Sequence, residues 1–236
     1  FSGRIENTDI CGNRNGTTAP WTRSGPTVRM SDGTITECRI FDNVGRNVNG
    51  LVYLTGGSLI RSKIFGNRLM SAEGQSDASA GVTLRNSTVL ADCVITNNVC
   101  DTSSTASITT LAGGVNQYYG GGSAVLRCII RGNRVGNGDV AGVMMGPSTV
   151  LANSLIADNQ TGTSRGIAGG VRMLHSTARM LNCTVAGNSN QTVATGHGVA
   201  LSAGTITNCI VYGNGPVETR FTTNNLDVTG GAVAYT

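Results

Sequence analysis

Residues 179–188 read RMLNCTVAGN, and this stretch decides the fold because close copies of it recur along the chain. Residues 205–214 read TITNCIVYGN, and residues 89–98 read VLADCVITNN. Eight copies occur, each ending in an asparagine: Asn13, Asn43, Asn67, Asn98, Asn133, Asn159, Asn188 and Asn214. Successive asparagines lie 24 to 35 residues apart, which indicates fixed coil segments joined by loops of variable length.

The positions within each copy alternate as the residues of a β-strand do. Three residues before the asparagine stands an aliphatic residue, such as Ile95 or Val185, and eight before it stands another, such as Leu90. Six residues before it the side chain is polar or charged, as at Asp92 and Asn182. Alternation over a few residues is typical of a strand, and the change of parity between these positions predicts a bend at the corner of a coil.

Five residues before the asparagine stands a small residue in every copy. The column is Thr8, Cys38, Ser62, Cys93, Cys128, Ser154, Cys183 and Cys209, and it holds five of the seven cysteines. We expect buried, stacked thiols here, because bridged Cβ atoms prefer about 3.8 Å whereas coils stack about 4.8 Å apart. Cys11 and Cys100 lie outside the column and are either free or bridged through a loop.

A second element precedes most copies, and it consists of a glycine followed by a valine. It occurs as Gly81-Val82, Gly114-Val115, Gly142-Val143, Gly170-Val171 and Gly198-Val199, with Gly50-Leu51-Val52 as a looser version. Each coil is therefore predicted to contain a Gly-Val strand, a small-residue corner, a Cys/Ile strand, an asparagine turn and a variable loop. Stacking predicts an all-β, right-handed single-stranded parallel β-helix of about eight coils with a hydrogen-bonded asparagine ladder. We expect residues 1–236 to form one domain that starts and ends in mid-coil.

The composition fits thin, repeated core layers rather than a large globular core. Glycine is frequent, with 34 residues, whereas aromatic residues make up 4% and charged residues 13% of the chain. The net charge of +4 is spread without a basic cluster, so we expect no nucleic-acid partner. No segment approaches the roughly 18 apolar residues of a membrane span, and we expect any export signal to lie outside this sequence. No cofactor is predicted.

The motifs Gly169-Gly170-Val171 and Asn182-Cys183-Thr184-Val185, followed by Asn188, resemble repeats of bacterial surface proteins. They are similar to the pectate-lyase-like right-handed β-helix repeats of polymorphic outer-membrane proteins and related anchored exoproteins. The resemblance covers essentially the whole chain. It implies an exported bacterial protein, extracellular or at the cell surface, on an architecture that carries lyases, hydrolases, adhesins and inert stalks alike.

Two short motifs resemble those of polygalacturonases on the same fold, namely Gly196-His197-Gly198 and Asn7-Thr8-Asp9. An Asp-Asp pair is absent from the sequence. Asp9 and His197 are expected about seven coils, or more than about 30 Å, apart, whereas paired carboxylates must lie within about 10 Å. We therefore predict no catalytic residue and interpret His197 as a variant of the Gly-Val element. His175 is the only other histidine, so no metal site is predicted.

Charged residues recur in two outward columns. Arg61, Asp92 and Arg127 occupy one column in consecutive coils and are predicted to form a row of surface ion pairs rather than a substrate clamp. Asp42 and Asp158 share another column but lie about four coils apart.

The two ends of the sequence suggest an assembly. The first 13 residues form the second half of a repeat, and the final TGGAVAYT is predicted to be a Gly-Val strand without its second half. Joined head to tail, the two would complete one coil, with Val233 as far from the next Asn13 as Val82 is from Asn98. The predicted interface is Phe1, Ile5, Thr8, Ile10, Asn13, Val228, Ala232, Val233, Ala234, Tyr235 and Thr236. Such stacking predicts a filament with an axial repeat of about eight layers, or about 38 Å.

The sequence thus predicts a non-enzymatic extracellular structural protein whose partner is itself or the flanking coils of a longer chain. The alternatives are a segment of a larger surface adhesin or stalk, and a polysaccharide-binding or -cleaving β-helix. Glycan contact is expected, if anywhere, at the variable loops 14–25, 68–80, 99–112 and 215–229. Aromatic platforms for sugars are scarce, since the single tryptophan, Trp21, lies in a loop and Tyr118-Tyr119 is the only aromatic pair.

Overall fold

The computed structural model describes residues 2–15, 25–46, 49–70, 77–101, 111–162, 166–191, 196–215 and 225–235. These residues contain β-strands and no helix. The 31 strands pair in parallel and form four sheets, numbered I to IV here. Phe1 and Thr236, named above as interface residues, lie outside the described residues, as do Trp21 and much of the four variable loops.

Sheets I and II contain the two halves of the repeat. Sheet I consists of β1 (Ser2–Glu6), β5 (Asp32–Thr36), β9 (Ser58–Ile60), β13 (Val89–Ala91), β17 (Ala124–Leu126), β21 (Val150–Ala152), β25 (Arg179–Leu181), β28 (Thr205–Thr207) and β31 (Ala232–Ala234). Sheet II consists of β2 (Asp9–Cys11), β6 (Arg39–Phe41), β10 (Lys63–Phe65), β14 (Val94–Thr96), β18 (Ile129–Arg131), β22 (Leu155–Ala157), β26 (Thr184–Ala186) and β29 (Ile210–Tyr212).

Sheet III follows the asparagine turn, and sheet IV contains the Gly-Val element. Sheet III consists of β3 (Arg14–Asn15), β7 (Val44–Gly45), β11 (Arg68–Met70), β15 (Val99–Asp101), β19 (Arg134–Val135) and β23 (Gln160–Thr161). Sheet IV consists of β4 (Val28–Met30), β8 (Val52–Leu54), β12 (Val82–Leu84), β16 (Val115–Gln117), β20 (Val143–Met145), β24 (Val171–Met173), β27 (Val199–Leu201) and β30 (Leu226–Val228).

The chain visits sheets IV, I, II and III in turn, and each strand pairs with its equivalent in the next coil. Ile64, for example, pairs with Ile40 on one side and with Ile95 on the other. Seven coils have strands in sheets IV, I and II, from β4 to β29, with the partial coil β1–β3 before them and β30–β31 after them. The predicted all-β, right-handed parallel β-helix is confirmed. Most coils contain four strands, however, and not the two that the sequence pattern predicted.

Two left-handed backbone positions per coil explain the polar columns of the repeat. The corner between sheets I and II has φ between 47° and 56° at Asn7, Glu37, Arg61, Asp92, Arg127, Asn153, Asn182 and Asn208. The residue before each repeat asparagine also has positive φ, between 53° and 68°, at Gly12, Asp42, Gly66, Asn97, Gly132, Asp158, Gly187 and Gly213. Glycine, asparagine and aspartate adopt this conformation at the lowest cost, which is why all eight repeats end in Gly-Asn, Asp-Asn or Asn-Asn. The predicted bend is therefore a fixed backbone corner.

The core consists of thin layers to which each strand of sheets I, II and IV contributes one or two side chains. In the third coil Val82, Leu84, Leu90 and Ile95 are fully buried. A second, smaller core lies under sheet III, where Leu69, Cys100 and Val135 occupy one column. Cys100, which the repeat left unassigned, is thus a free thiol of this second core.

The final Gly-Gly-Ala-Val was predicted to be a Gly-Val strand, and this prediction is wrong. Ala232–Ala234 pairs with Thr205–Thr207 in sheet I, whereas Leu226–Val228 provides the sheet IV strand of that coil. The correct assignment could have been predicted from the sequence, because Thr229–Val233 (TGGAV) is similar to residues 55–59 (TGGSL), which lead into β9 of sheet I. In both copies the second glycine has positive φ, and a Cβ on the first glycine would meet a carbonyl oxygen of the preceding coil within 2.4 Å. The two partial coils therefore each possess a sheet I strand and do not complement one another as two halves.

Candidate functional sites on the coil ladders, the side walls and the two ends

The two residues that resemble a polygalacturonase site are not brought together. Asp9 lies in β2 of the first partial coil, where it is exposed and pairs with Arg39, whose hydrogen bond lowers the pKa of the carboxyl group. His197 precedes β27 in the seventh coil and is 2% exposed. Its Nδ1 accepts the backbone N–H of Asn190 at 3.0 Å, and burial lowers its pKa. His197 is therefore a buried, neutral side chain that holds the backbone at Asn190.

The outward charged column forms the predicted row of ion pairs only in part, between Asp92 and Arg127. Arg127 donates two hydrogen bonds to the Asp92 carboxylate, at 2.7 and 2.8 Å, and they lower the pKa of Asp92. Arg61 pairs with Glu37 of the coil before it, at 3.0 Å, rather than with Asp92. These side chains are roughly half exposed, so solvent screens each pair and its contribution to stability is small.

Asp42 and Asp158 both occupy the left-handed position before a repeat asparagine. They lie in the first and the fifth complete coil, so they do not form a carboxylate pair. Asp158 instead accepts a hydrogen bond from Arg131 Nε at 2.8 Å. Within the described ranges, no group of three or more His, Cys, Asp and Glu side chains could hold a metal ion.

The asparagine column forms a continuous hydrogen-bonded ladder, as predicted. Asn133 is typical: its backbone N–H and Nδ2 both donate to Asn159 Oδ1 at 3.0 Å, and Nδ2 also donates to the Ile95 carbonyl at 2.9 Å. Its Oδ1 accepts the same two donors from Asn98. The ladder is fully buried from Asn43 through Asn214, and at the first coil the exposed Asn13 donates to Asn43.

The ladder ends on a residue outside the repeat. Asn225 Oδ1 accepts the backbone N–H and Nδ2 of Asn214 at 2.7 and 3.1 Å, in the place that the next coil's asparagine would occupy. The Asn225 carbonyl also accepts the N–H groups of Gly198 and Val199. Nothing in the repeat spacing pointed to Asn225, because it follows a variable loop.

The small-residue column is a second ladder, and its cysteines are free, buried thiols as predicted. The Cys183 N–H donates to Cys209 Sγ at 3.3 Å, and the Cys183 thiol donates to the Leu181 carbonyl at 3.2 Å. The neighbouring Cys209 thiol, together with burial, raises the pKa of the Cys183 thiol. Thr8, at the end of the column, is exposed.

Two ion pairs behind sheet IV were not predicted from the sequence. Asp139 pairs with Arg172, and Asp77 pairs with Arg85; both carboxylate side chains are only 5% exposed. Arg172 is the middle residue of its strand, and the equivalent residues of the other sheet IV strands are Arg29, Tyr53, Thr83, Asn116, Met144, Ala200 and Asp227. These pairs hold the segments that close the coils against sheet IV, where isolated bridges run from Ser79 through Ala112 and Val140 to Ala168.

The surfaces that could contact a glycan are limited in the described part of the chain. Tyr118 and Tyr119 pack edge to face with ring centroids 4.6 Å apart, and the Arg85 guanidinium lies 4.4 Å from the Tyr119 centroid. A groove of about 280 Å³ lies over sheet III, lined by polar residues such as Asp101, Arg134 and Gln160 and by apolar residues such as Val99 and Val135. No aromatic side chain lines this groove.

Each end of the described solenoid exposes core positions. Ile5 and Ile10 are half-buried, whereas their equivalents in the next coil, Ile35 and Ile40, are fully buried. At the opposite end Val233 is also half-buried. Among the described residues, β1 pairs only with β5 and β31 pairs only with β28, so each strand has one unpaired edge in sheet I.

No family model matches this chain, and no curated protein matches its sequence. Two solved structures of QnrB1, a plasmid-mediated fluoroquinolone resistance protein, align with it. The trypsin-treated form is 11% identical, with 96% of this chain and 91% of that chain covered and a TM-score of 0.25. The full-length form is 10% identical, with 95% and 93% covered and the same TM-score. A superposition at this score supports no argument about function. No helix of the described ranges is both long and apolar enough to span a bilayer.

Proposed function

We propose that this chain is a non-enzymatic structural β-helix, outside the cell or at its surface, and that copies of it join end to end into a filament. The resemblance to repeats of bacterial surface proteins supports the location. The observation that supports the joining is the unpaired edge of sheet I at each end of the described solenoid. An unpaired strand edge is a template for a further strand, and a heterologous contact that does not close produces a filament.

The roles of the polar side chains support a structural function over a catalytic one. The repeat asparagines and thiols bond from coil to coil, Asp92 and Asp139 pair with arginines, and His197 accepts a backbone N–H. These side chains are thus engaged in contacts that hold the backbone and neighbouring coils in place.

Sheet I is the sheet through which we expect the copies to join. Placing β31 of one copy on β1 of the next continues the inward column from Val233 to Ile5 and covers both half-buried side chains. In this arrangement β1 and β31 stay paired as they are within each copy, and Asn225 still ends the asparagine ladder. Each copy therefore adds the nine strands of sheet I to the length of the filament. The expected axial repeat is therefore about 43 Å, rather than the 38 Å or so that complementary half-coils would produce.

Negative-stain electron microscopy of the purified chain at neutral pH tests this proposal. We expect thin, unbranched fibres with an axial repeat near 43 Å. Ile5→Asp, which places a charge at the joined end, should abolish the fibres. Ile129→Lys changes a 41% exposed residue on the side wall and should leave them intact. Single short rods from the unaltered chain would contradict the filament and favour a stalk segment whose open edges are covered by flanking coils.

A further inference from the structure

The outer face of sheet I has a regular apolar pattern that the proposed filament does not use. In β9, β13, β17 and β21 the middle residue is buried in the core, so the first and third residues of each strand form the outer face. None of these eight positions is charged. The larger side chains are Ile60, Val89, Leu126 and Val150, and all four are partly exposed. The smaller ones are Ser58, Ala91, Ala124 and Ala152.

Large and small residues alternate in both directions on this face. Ala91 pairs across the sheet with Ile60 on one side and Leu126 on the other, and within its own strand it follows Val89. Ala91 and Ala152 are only 4% and 7% exposed because their larger neighbours rise above them. The face is therefore a checkerboard of projecting side chains and shallow pits.

We propose that this face binds the same face of a second copy of the chain, across a two-fold axis parallel to the strands between β13 and β17. The axis places Leu126 opposite Ala91 of the second copy and Val89 opposite Ala124 of the second copy. Ile60 then lies opposite Ala152, and Ser58 opposite Val150. A large side chain faces a small one at every position, which is the condition for two sheets to interdigitate at about 10 Å.

The charges beside the face match in the same arrangement. Asp92 follows Ala91 and Arg127 follows Leu126, both at the exposed corner between sheets I and II. The two-fold axis places Asp92 opposite Arg127 of the second copy, and Arg127 opposite Asp92. The existing Asp92–Arg127 pair thus becomes half of a four-charge network at the rim of an apolar centre.

The outer face of sheet II has neither an uncharged alternation of large and small residues nor matching charges beside it. Lys63 and Arg131 interrupt its apolar residues, and its two most exposed large residues, Ile210 and Tyr212, belong to one strand at the end of the sheet. The checkerboard on sheet I is four strands wide, which is small for a permanent interface. We therefore expect a weak, concentration-dependent side-by-side dimer, independent of end-to-end joining.

Sedimentation velocity from about 1 to about 500 µM, combined with small-angle X-ray scattering, tests the proposal on the Ile5→Asp variant, in which end-to-end joining is blocked. We expect a monomer–dimer equilibrium in which the dimer has the length of the monomer and twice its thickness. Leu126→Lys should weaken the dimer at least about tenfold, because it places a charge at the centre of the apolar face. Ile129→Lys, three residues further along the same coil on sheet II, is the matched control and should leave dimerisation unchanged. Circular dichroism checks that each variant retains its β-structure.

Two further variants separate a complementary interface from general stickiness. Ala91→Leu fills a pit and adds apolar surface, so it weakens a complementary dimer but strengthens non-specific association. Arg127→Asp should weaken the dimer, and Asp92→Arg/Arg127→Asp should restore it. The proposal is overturned if the chain is monomeric at all concentrations or if Ala91→Leu associates more strongly. It is also overturned if Ile129→Lys weakens the dimer as much as Leu126→Lys does. A dimer of Ile5→Asp with twice the monomer's length would also overturn it, since that result places the contact at the ends.

Discussion

At the scale of single residues, the fold depends on backbone conformations that few side chains adopt easily. Among the described residues, thirteen non-glycine residues have positive φ, and eight of these lie at the corner between sheets I and II. Asparagine occupies half of those corners, where its short polar side chain tolerates the left-handed region. Glu37, Arg61 and Arg127 occupy others at a higher conformational cost, and each forms an ion pair with a neighbouring coil.

His197 is predicted to make stability depend on pH. Burial holds its pKa below the ordinary value of 6.5, so just below that pH the unfolded chain binds a proton that the folded chain does not. A depressed folded pKa gives stability that is present above the unfolded value and lost as the pH falls through the folded value. The Asp92–Arg127 pair affects stability only at lower pH, because the hydrogen bond from Arg127 holds the pKa of Asp92 below its ordinary value of 3.8.

Urea denaturation between about pH 7.5 and about pH 5 measures this effect. We expect the unfolding free energy of the unaltered chain to decrease over this interval. His197→Gln retains an acceptor for the Asn190 N–H and should show a flatter profile. Parallel profiles for the two chains would mean that another group takes up the proton.

At the scale of the structural element, the asparagine ladder binds neighbouring coils more strongly than the surface ion pairs do. Each inner asparagine donates at least three hydrogen bonds and its Oδ1 accepts two, as at Asn133. A group left unsatisfied in such a place costs about 1–3 kcal/mol. One inner asparagine of the ladder therefore contributes more to the free energy of unfolding than several exposed ion pairs do.

We predict that Asn133→Ala lowers the unfolding free energy by at least about 3 kcal/mol, because it leaves donors of Asn98 and the Ile95 carbonyl without their partner. Asn13→Ala is the matched control at the open end of the same ladder, where the side chain is exposed, and should cost under about 1 kcal/mol. Chemical denaturation of the two variants provides the comparison. Similar losses at both positions would show that hydrogen bonding along the ladder does not hold the coils.

At the scale of the whole molecule, every coil contacts only its neighbours, so stability is distributed along the axis rather than concentrated in one core. Within the described part of the chain, the first and last coils pair on one side only and contain the half-buried Ile5 and Val233. The outer face of sheet I and the open ends are therefore different surfaces with different expected partners.

Hydrogen exchange followed by mass spectrometry should reveal this gradient. We expect amides of β1, β2 and β31 to exchange first, because opening them breaks contacts on one side only. Amides of β13, β14, β17 and β18 should exchange last, since they have paired strands on both sides. Equal protection along the axis, measured under conditions in which the chain is monomeric, would contradict the prediction.

The sequence by itself determined what repeats from coil to coil. The asparagine ladder, the buried thiols, the aliphatic columns and the corner positions all follow from fixed spacing within the repeat. The physical reason is that in-register stacking places each residue on its own equivalent, so one copy of the pattern specifies its contacts with the next.

Only the tertiary structure decided what the variable loops bring together. Asn225 ends the ladder, Asp139 reaches Arg172, and β31 joins sheet I rather than sheet IV. These contacts join residues at irregular sequence separations, and loop length carries no information about where a loop's far end will pack. The alternation on the outer face of sheet I was likewise present in the sequence, but it became a surface only once the register of four strands was fixed.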